Sequence, residues 1–250
     1  MKVLVFILSL FCCYAMADDN IPAAVKAFEK QGIKIIRQVK MPGGMPVWLG
    51  EYQGTGITIF MAPDGKHAIS GFLYDDKGNN LSQQLFTKEL YAPQGRKFWQ
   101  AMKNAHPITE GKSSAARQIF VFADPYCPYC KEFWAAAQPW ISAGKIQLNT
   151  LLVAILNPKS GQVASGILSS SNPASAWHDY ELSGGKKTPP PLTATPPGIA
   201  GQLQFNQQLM DQLGANGTPA IYYMNDNNEL QQVIGMPDKD QLTSIFGPLN

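Results

Sequence analysis

Two cysteines, Cys127 and Cys130, stand two residues apart directly after the apolar run Ile119-Phe120-Val121-Phe122-Ala123. This arrangement constrains the chain more than any other feature, because it sets a thiol pair where a strand turns into a helix. Residues three apart on a helix share a face, and a rise of about 1.5 Å per residue leaves their Cα atoms roughly 5 Å apart, within disulfide reach. The pair is expected to close and open without moving the backbone, which makes it a redox site. Cys127 falls in the first turn, where unpaired N–H groups and the helix dipole favour negative charge. Its thiol should therefore ionise below the free value of about 8.5 and serve as the nucleophile. Cys130 lies one turn deeper, followed by Phe133 and Trp134, and is expected to be shielded and to act as the resolving thiol. Pro128 loses no bond at an early helix position, and Tyr129 completes the dipeptide between the cysteines. Asp124, just before the motif, could tune the thiols electrostatically or cap the helix; capping is the reading adopted.

The chain opens with Lys2, an apolar stretch from Val3 to Cys13 and the small-x-small sequence Ala15-Met16-Ala17. These have the form of an export signal cleaved after Ala17, and the apolar core is too short to span a bilayer. Phe11 before Cys12 argues against a lipid-attachment site. Cleavage leaves 233 residues whose sole cysteines are Cys127 and Cys130, and it removes Cys12 and Cys13. An exported protein with one Cys-x-x-Cys is not a stapled scaffold; its pair is expected to react. The full chain carries a net charge of +2, too little to suggest the clustered Lys and Arg that nucleic acid requires. A structural zinc site takes four ligands, whereas His67, His106 and His178 are dispersed and no second cysteine pair remains. No metal and no external cofactor is expected, the redox-active disulfide Cys127–Cys130 being the working group.

Periodicity and turn residues divide the mature chain. Residues 18–79 are expected to form an antiparallel α+β unit: a short helix over 21–31, then strands over 33–39, 47–52, 57–61 and 67–74, separated by Gly43-Gly44, Gly54-Thr55-Gly56 and Pro63-Asp64-Gly65. So small a unit buries little core, and pairing with a second copy through an exposed strand edge would add to it. Residues 80–105 are expected to be a largely helical linker interrupted by Pro93. The remainder, 106–250, begins with a strand over 118–123, the cysteine helix to about Ala143 and a second strand over 146–155, an order that makes a right-handed crossover with parallel strands. A helical insertion over about 157–213 follows, helical near 175–182 and 200–213 and looped through the proline-rich 188–197. A hairpin begins at Gly217-Thr218-Pro219, and Asp238 with Gln241 forms a capping pair that opens a last helix. This is the thioredoxin layout.

Three stretches carry a resemblance: Phe122-Ala123-Asp124-Pro125 before Cys127-Pro128-Tyr129-Cys130, Gly214 through Met224, and Pro63 through Gly71. On them the chain resembles the periplasmic thiol-disulfide interchange family over nearly its whole mature length. Proline between the cysteines fits one branch of that family better than the isomerase branch, which has glycine there and an additional structural disulfide. The resemblance implies a V-shaped homodimer of α+β subunits. Each would have a small cystatin-like antiparallel dimerisation domain, a helical linker and a thioredoxin-like α/β catalytic domain carrying the helical insertion. It also implies a DsbD-like membrane electron donor, and reductase or isomerase activity on exported proteins with cysteines, including reduction of sulfenic acids. Chaperone-like holding of unfolded chains is implied as well.

By the same likeness Cys127 is the nucleophile, Cys130 the resolving thiol, and Pro219 a cis-proline preceded by Thr218. The residues alone leave cis and trans open at Pro219; a cis bond would bring Thr218 alongside Cys127, where a substrate could pair with its backbone as an added strand. Two other functions remain: a net disulfide oxidase, and a binding module whose thiols are incidental.

Overall fold

The computed structural model describes residues 21–190, 192 and 194–249. The expected export signal, with Cys12 and Cys13, lies outside the described residues. The described chain divides into two compact units, one ending at Leu90 and the other starting at Tyr91.

In the first unit, helix α1 (Ala23–Lys26) follows Pro22 and tightens into a 3-10 helix, Ala27–Gln31, which ends on left-handed Gly32. Four strands, β1 (Lys34–Lys40), β2 (Pro46–Tyr52), β3 (Thr55–Met61) and β4 (Ala68–Ser70), pair antiparallel in chain order. Val25 and Ile33 pack on Trp48 and Ile59 to make the core of one sheet face. The expected fourth strand ends early at Ser70, because the chain beyond it folds on itself: the Asp75 carboxylate accepts from the backbone N–H groups of Lys77 and Asn79. Helix α2 (Leu81–Phe86) is capped by the Asn80 side chain, which accepts from Gln83 N. It packs on β3, where the Thr58 and Ser82 hydroxyls meet at 3.0 Å. Phe86 lies so close to Gly56 that a Cβ there would sit 2.6 Å from its ring.

The expected linker is helical, but it is shared rather than independent. After α2 comes a π-turn, Thr87–Tyr91, then α3 (Ala92–Asn104). The boundary between the units falls inside the π-turn, so α2 belongs to the first unit and α3 to the second. Pro93 does not interrupt the helix as expected. It occupies the first turn of α3, where a missing N–H costs little.

The second unit is built on a mixed sheet in the order β5-β7-β6-β8-β9. Its strands are β5 (Ile108–Glu110), β6 (Arg117–Ala123), β7 (Ile146–Leu152), β8 (Ala220–Met224) and β9 (Leu230–Ile234). β6 and β7 run parallel, joined through α4 (Pro128–Ser142). The other pairs are antiparallel. Strand alternation sorts the central residues by face. Ile119, Val121 and Ala123 join Phe133, Trp134, Ile245 and Phe246 in one core cluster, whereas Phe120 and Phe122 join Met102, Leu209 and Tyr222 in the other.

The insertion supplies α5 (Ser160–Leu168), α6 (Pro173–Leu182) and α7 (Pro197–Gln212), and α8 (Lys239–Phe246) closes the chain behind the capping box of Asp238 and Gln241. β5 and α5 were not expected. β5 is three residues long and exists by pairing on the edge of β7. α5 reads Ser-Gly-Gln-Val-Ala-Ser-Gly-Ile-Leu, poor in helix formers, and is held by burial of Ala164, Ile167 and Leu168. Its Gly166 lets Pro189 of the proline-rich loop lie close, since an added Cβ would be 3.1 Å from the Pro189 ring.

Candidate active site

The two cysteines sit where β6 ends and α4 begins. Cys127 is the N-cap of α4: its backbone is extended, its N–H donates to Asp124 O at 2.9 Å, and its Sγ accepts from Cys130 N at 3.2 Å. Pro128 is the first helical residue, as expected of a proline placed where N–H groups have no partner. Tyr129 and Tyr126 are exposed beside the motif, and Cys130 is buried one turn on. The sulfur of Cys127 therefore occupies the position that a capping hydroxyl or carboxylate takes in other helices.

The opposite wall is the start of β8. The Thr218–Pro219 bond is cis, and Cys127 Sγ lies 3.2 Å from Thr218 O, to which it donates when protonated. The Thr218 hydroxyl is buried with no hydrogen-bond partner among the described residues, and lies near enough to the sulfur to favour its charge. The environment thus separates the two thiols. Cys127 is lowered to about 6, first by the Cys130 thiol donating to it, against the opposing effect of burial, and then by the Thr218 hydroxyl and the first-turn N–H groups. Cys130 is pushed strongly up, first by burial and then by its role as donor to Cys127. One sulfur is a thiolate at neutral pH and the other keeps its proton.

Asp124 does not cap the cysteine helix; Cys127 itself does. The Asp124 carboxylate is fully buried and accepts four bonds: from Tyr126 N at 2.8 Å, Ser160 Oγ at 2.7 Å, Ile155 N at 2.7 Å and Leu156 N at 3.0 Å. It ties the motif to the segment after β7 and to the first residue of α5. A carboxylate so placed needs every acceptor site filled, because leaving a charge unpaired in the interior is expensive. The capping reading failed because three of its four partners lie more than thirty residues away.

A second layer comes from α6. Tyr180 donates its hydroxyl proton to Pro125 O at 2.8 Å, and Lys131 Nζ donates to the same oxygen at 2.5 Å while lying 5.0 Å from the Tyr180 ring centre. Glu110 of β5 accepts from Trp134 Nε1 at 2.8 Å and pairs with His178 Nδ1 at 3.1 Å. Tyr180, Lys131, Glu110 and Glu181 were not singled out from the sequence, and no local pattern marks them. His67 pairs with Asp64 in the first unit. Among the described residues no cluster of three or more His, Cys, Asp or Glu could hold a metal ion.

Residues 105–248 match the model of the thioredoxin-like domain family. Over 97% of its length the chain is 50% identical to the thiol:disulfide interchange protein DsbG of Escherichia coli (strain K12), covering 98% of that protein. The chain belongs to the DsbG family. Its likeness to the DsbG of Pseudomonas aeruginosa is 38% over 94% of this chain and 91% of that one. Among solved structures, the catalytic domain of Proteus mirabilis ScsC superposes with a TM-score of 0.52 at 22% identity, over 62% of this chain and 96% of that one, and shares the fold. DsbG membership makes the chain a thiol-disulfide oxidoreductase.

Proposed function

We propose that this member of the DsbG family works in the periplasm as a disulfide reductase and isomerase on exported proteins, and as a reductase of their sulfenic acids. Cys127 is the nucleophile and Cys130 the resolving thiol. The observation that carries this reading is the Cys127 sulfur at the N-terminus of α4, accepting from Cys130 N beside the cis-proline wall of Thr218. The Cys127 thiolate attacks one sulfur of a substrate disulfide, forming a mixed disulfide and releasing the other sulfur as a thiolate. With a sulfenic acid, the same attack takes up one proton and releases water. The Cys130 thiol then loses its proton, attacks Cys127 Sγ and frees the substrate thiol, leaving Cys127 and Cys130 oxidised. If a substrate thiol attacks first, the substrate leaves rearranged and the enzyme pair stays reduced.

Thr218 and Pro219 would hold the substrate backbone beside the sulfur, while Pro128, Tyr129 and Asp124 shape the loop. No cofactor takes part beyond the cysteine pair, which a DsbD-like membrane donor would return to the dithiol. The basic, apolar and small-x-small segments of residues 1–17 support export and cleavage after Ala17. Among the described residues no helix is long and apolar enough to cross a membrane. The exposed edge of the first unit's sheet supports a homodimer.

Two variants test the reading. Cys127→Ser should abolish exchange with glutathione disulfide, and Cys130→Ser should accumulate mixed disulfides with exported proteins, visible as bands that collapse on reduction. Exchange retained by Cys127→Ser, or holding of unfolded chains as the sole activity in both wild type and variant, would overturn it. Trapping free thiols in fresh extracts should find the pair reduced; an oxidised steady state would point instead to a net oxidase.

A further inference from the structure

Glu181 lies on the buried side of α6, 4% exposed, and neither carboxylate oxygen has a hydrogen-bond partner among the described residues. A buried polar group left unpaired in a native fold calls for an explanation. Its place in the fold supplies one. The residue before it, Tyr180, is bonded to Pro125 O in the cysteine loop, and that oxygen is shared with Lys131 of α4. The charged groups facing Glu181 are few. Lys131 of α4 favours its ionised form; Cys127 at the head of α4 and Glu110 of β5 oppose it. Glu110 is engaged by Trp134 and His178, and α5, which also packs on α6, carries no titratable side chain. Of these neighbours, Cys127 is the one whose charge changes during thiol–disulfide exchange.

We propose that Glu181 is a positioning residue whose proton is coupled to the charge of Cys127: it is held more tightly while Cys127 is a thiolate and released more readily when Cys127 is bonded in a disulfide. This rests on the reading of Cys127 as the reactive thiol. Burial, the largest influence, raises Glu181 to about 8, and the thiolate adds to that rise. Between pH 6 and 8 the reduced site therefore holds a thiolate at Cys127, a thiol at Cys130 and a carboxylic acid at Glu181. In the disulfide the thiolate is gone, its repulsion goes with it, and the pull of Lys131 is left to favour the carboxylate.

The stoichiometry follows. The fraction of the disulfide in which Glu181 is ionised reacts with two glutathione thiols to give one glutathione disulfide, the Cys127 thiolate, the Cys130 thiol and protonated Glu181. Two electrons pass from the glutathione sulfurs to the enzyme pair. The two glutathione protons end on Cys130 and Glu181, and the enzyme site carries one negative charge before and after. Without Glu181, only one of those protons stays on the enzyme. The residue makes reduction of the pair steeper in pH and withholds a second negative charge from the pocket in which the thiolate must sit.

The test compares full-length wild type with E181Q, which has nearly the same shape and no titratable proton. Each is equilibrated with a glutathione redox couple at intervals between pH 6 and 8.5, and the reduced fraction is read by alkylation and mass. Glutathione's own titration cancels in the ratio of the two equilibrium constants. That ratio should change with pH, by up to tenfold per unit, in the sense that raising the pH disfavours the reduced wild type more than the reduced variant. A second measurement needs no variant: reduction of the wild-type disulfide near pH 7 should leave measurably more than one proton on the enzyme, whereas an isolated Cys127–Cys130 pair would retain about one. A pH-independent ratio, or one retained proton in the wild type, would overturn the proposal while leaving the thiol reading intact. A pair that never equilibrates with glutathione would overturn both.

Discussion

At the residue scale the site depends on one sulfur occupying a helix cap. A cap residue must offer an acceptor to the first-turn N–H groups, and a thiolate is a better acceptor than a thiol, so the bond from Cys130 N rewards ionisation of Cys127. Folding lowers that group from 9.0 to about 6. The sign follows: the thiolate's contribution to the stability of the reduced protein is fully present above pH 9, shrinks as the pH falls, and is lost on passing through pH 6. Alkylation of Cys127 by iodoacetamide should accordingly be half-maximal near pH 6 and level above pH 7, followed by peptide mass spectrometry. Because the residue is 1% exposed, the plateau rate should fall below that of an open thiolate without moving the midpoint. A midpoint near 8.5 or above would remove the physical basis of the nucleophile. Which thiol is the more acidic was legible from position in the chain, since a helix start differs from its second turn. The work of Asp124 was not, because a carboxylate cannot show from its neighbours in sequence that its donors come from residues 155, 156 and 160.

At the element scale, periodicity located the elements whose own residues favour them and missed those made by contact. β6, β7, α4 and the capping box of α8 follow from apolar runs and cap residues. α5 and β5 do not, because small polar residues become a helix, and three residues a strand, through what they rest against. α3 shows the same conflict in a single residue. Gly95 is buried inside this helix, and an added Cβ would stand 2.8 Å from Leu230 Cβ of β9. Propensity favours alanine over glycine in a helix by about 1 kcal/mol, whereas forcing an extra carbon into a filled contact costs roughly 1–3 kcal/mol. Gly95→Ala should therefore lower stability, by about 1 kcal/mol net, measured by urea unfolding of the full-length protein. A gain in stability would show that α3 is free to move away from β9.

At the scale of the whole molecule, the first unit presents a sheet whose last strand, β4, is three residues long and has no further partner strand among the described residues. Ile69 on it is 65% exposed, and Phe72 and Tyr74 just beyond are also exposed. Bare edges with apolar side chains favour pairing with another chain. If the proposed homodimer pairs through this edge, the wild type should be a dimer in light scattering at micromolar concentration and Ile69→Lys should shift it towards monomer, while exchange with glutathione disulfide remains at wild-type rate. A wild-type protein that is monomeric, or a variant that stays fully dimeric, would take this edge out of the interface.

The order of elements, the separation into an antiparallel unit and a thioredoxin-like unit, and the place of the cysteine pair at the head of a helix were determined by the sequence itself. Each rests on local physics: the spacing of apolar residues, the conformational demands of glycine and proline, and the three-residue step that aligns two thiols on a helix. What the tertiary structure alone decided is everything that depends on burial by distant segments. It set the partners of Asp124, divided the helical stretch between the two units, and buried Glu181 with no hydrogen-bond partner among the described residues. The energy of a charge depends on what surrounds it in space, and a linear sequence does not specify that neighbourhood until the chain has packed.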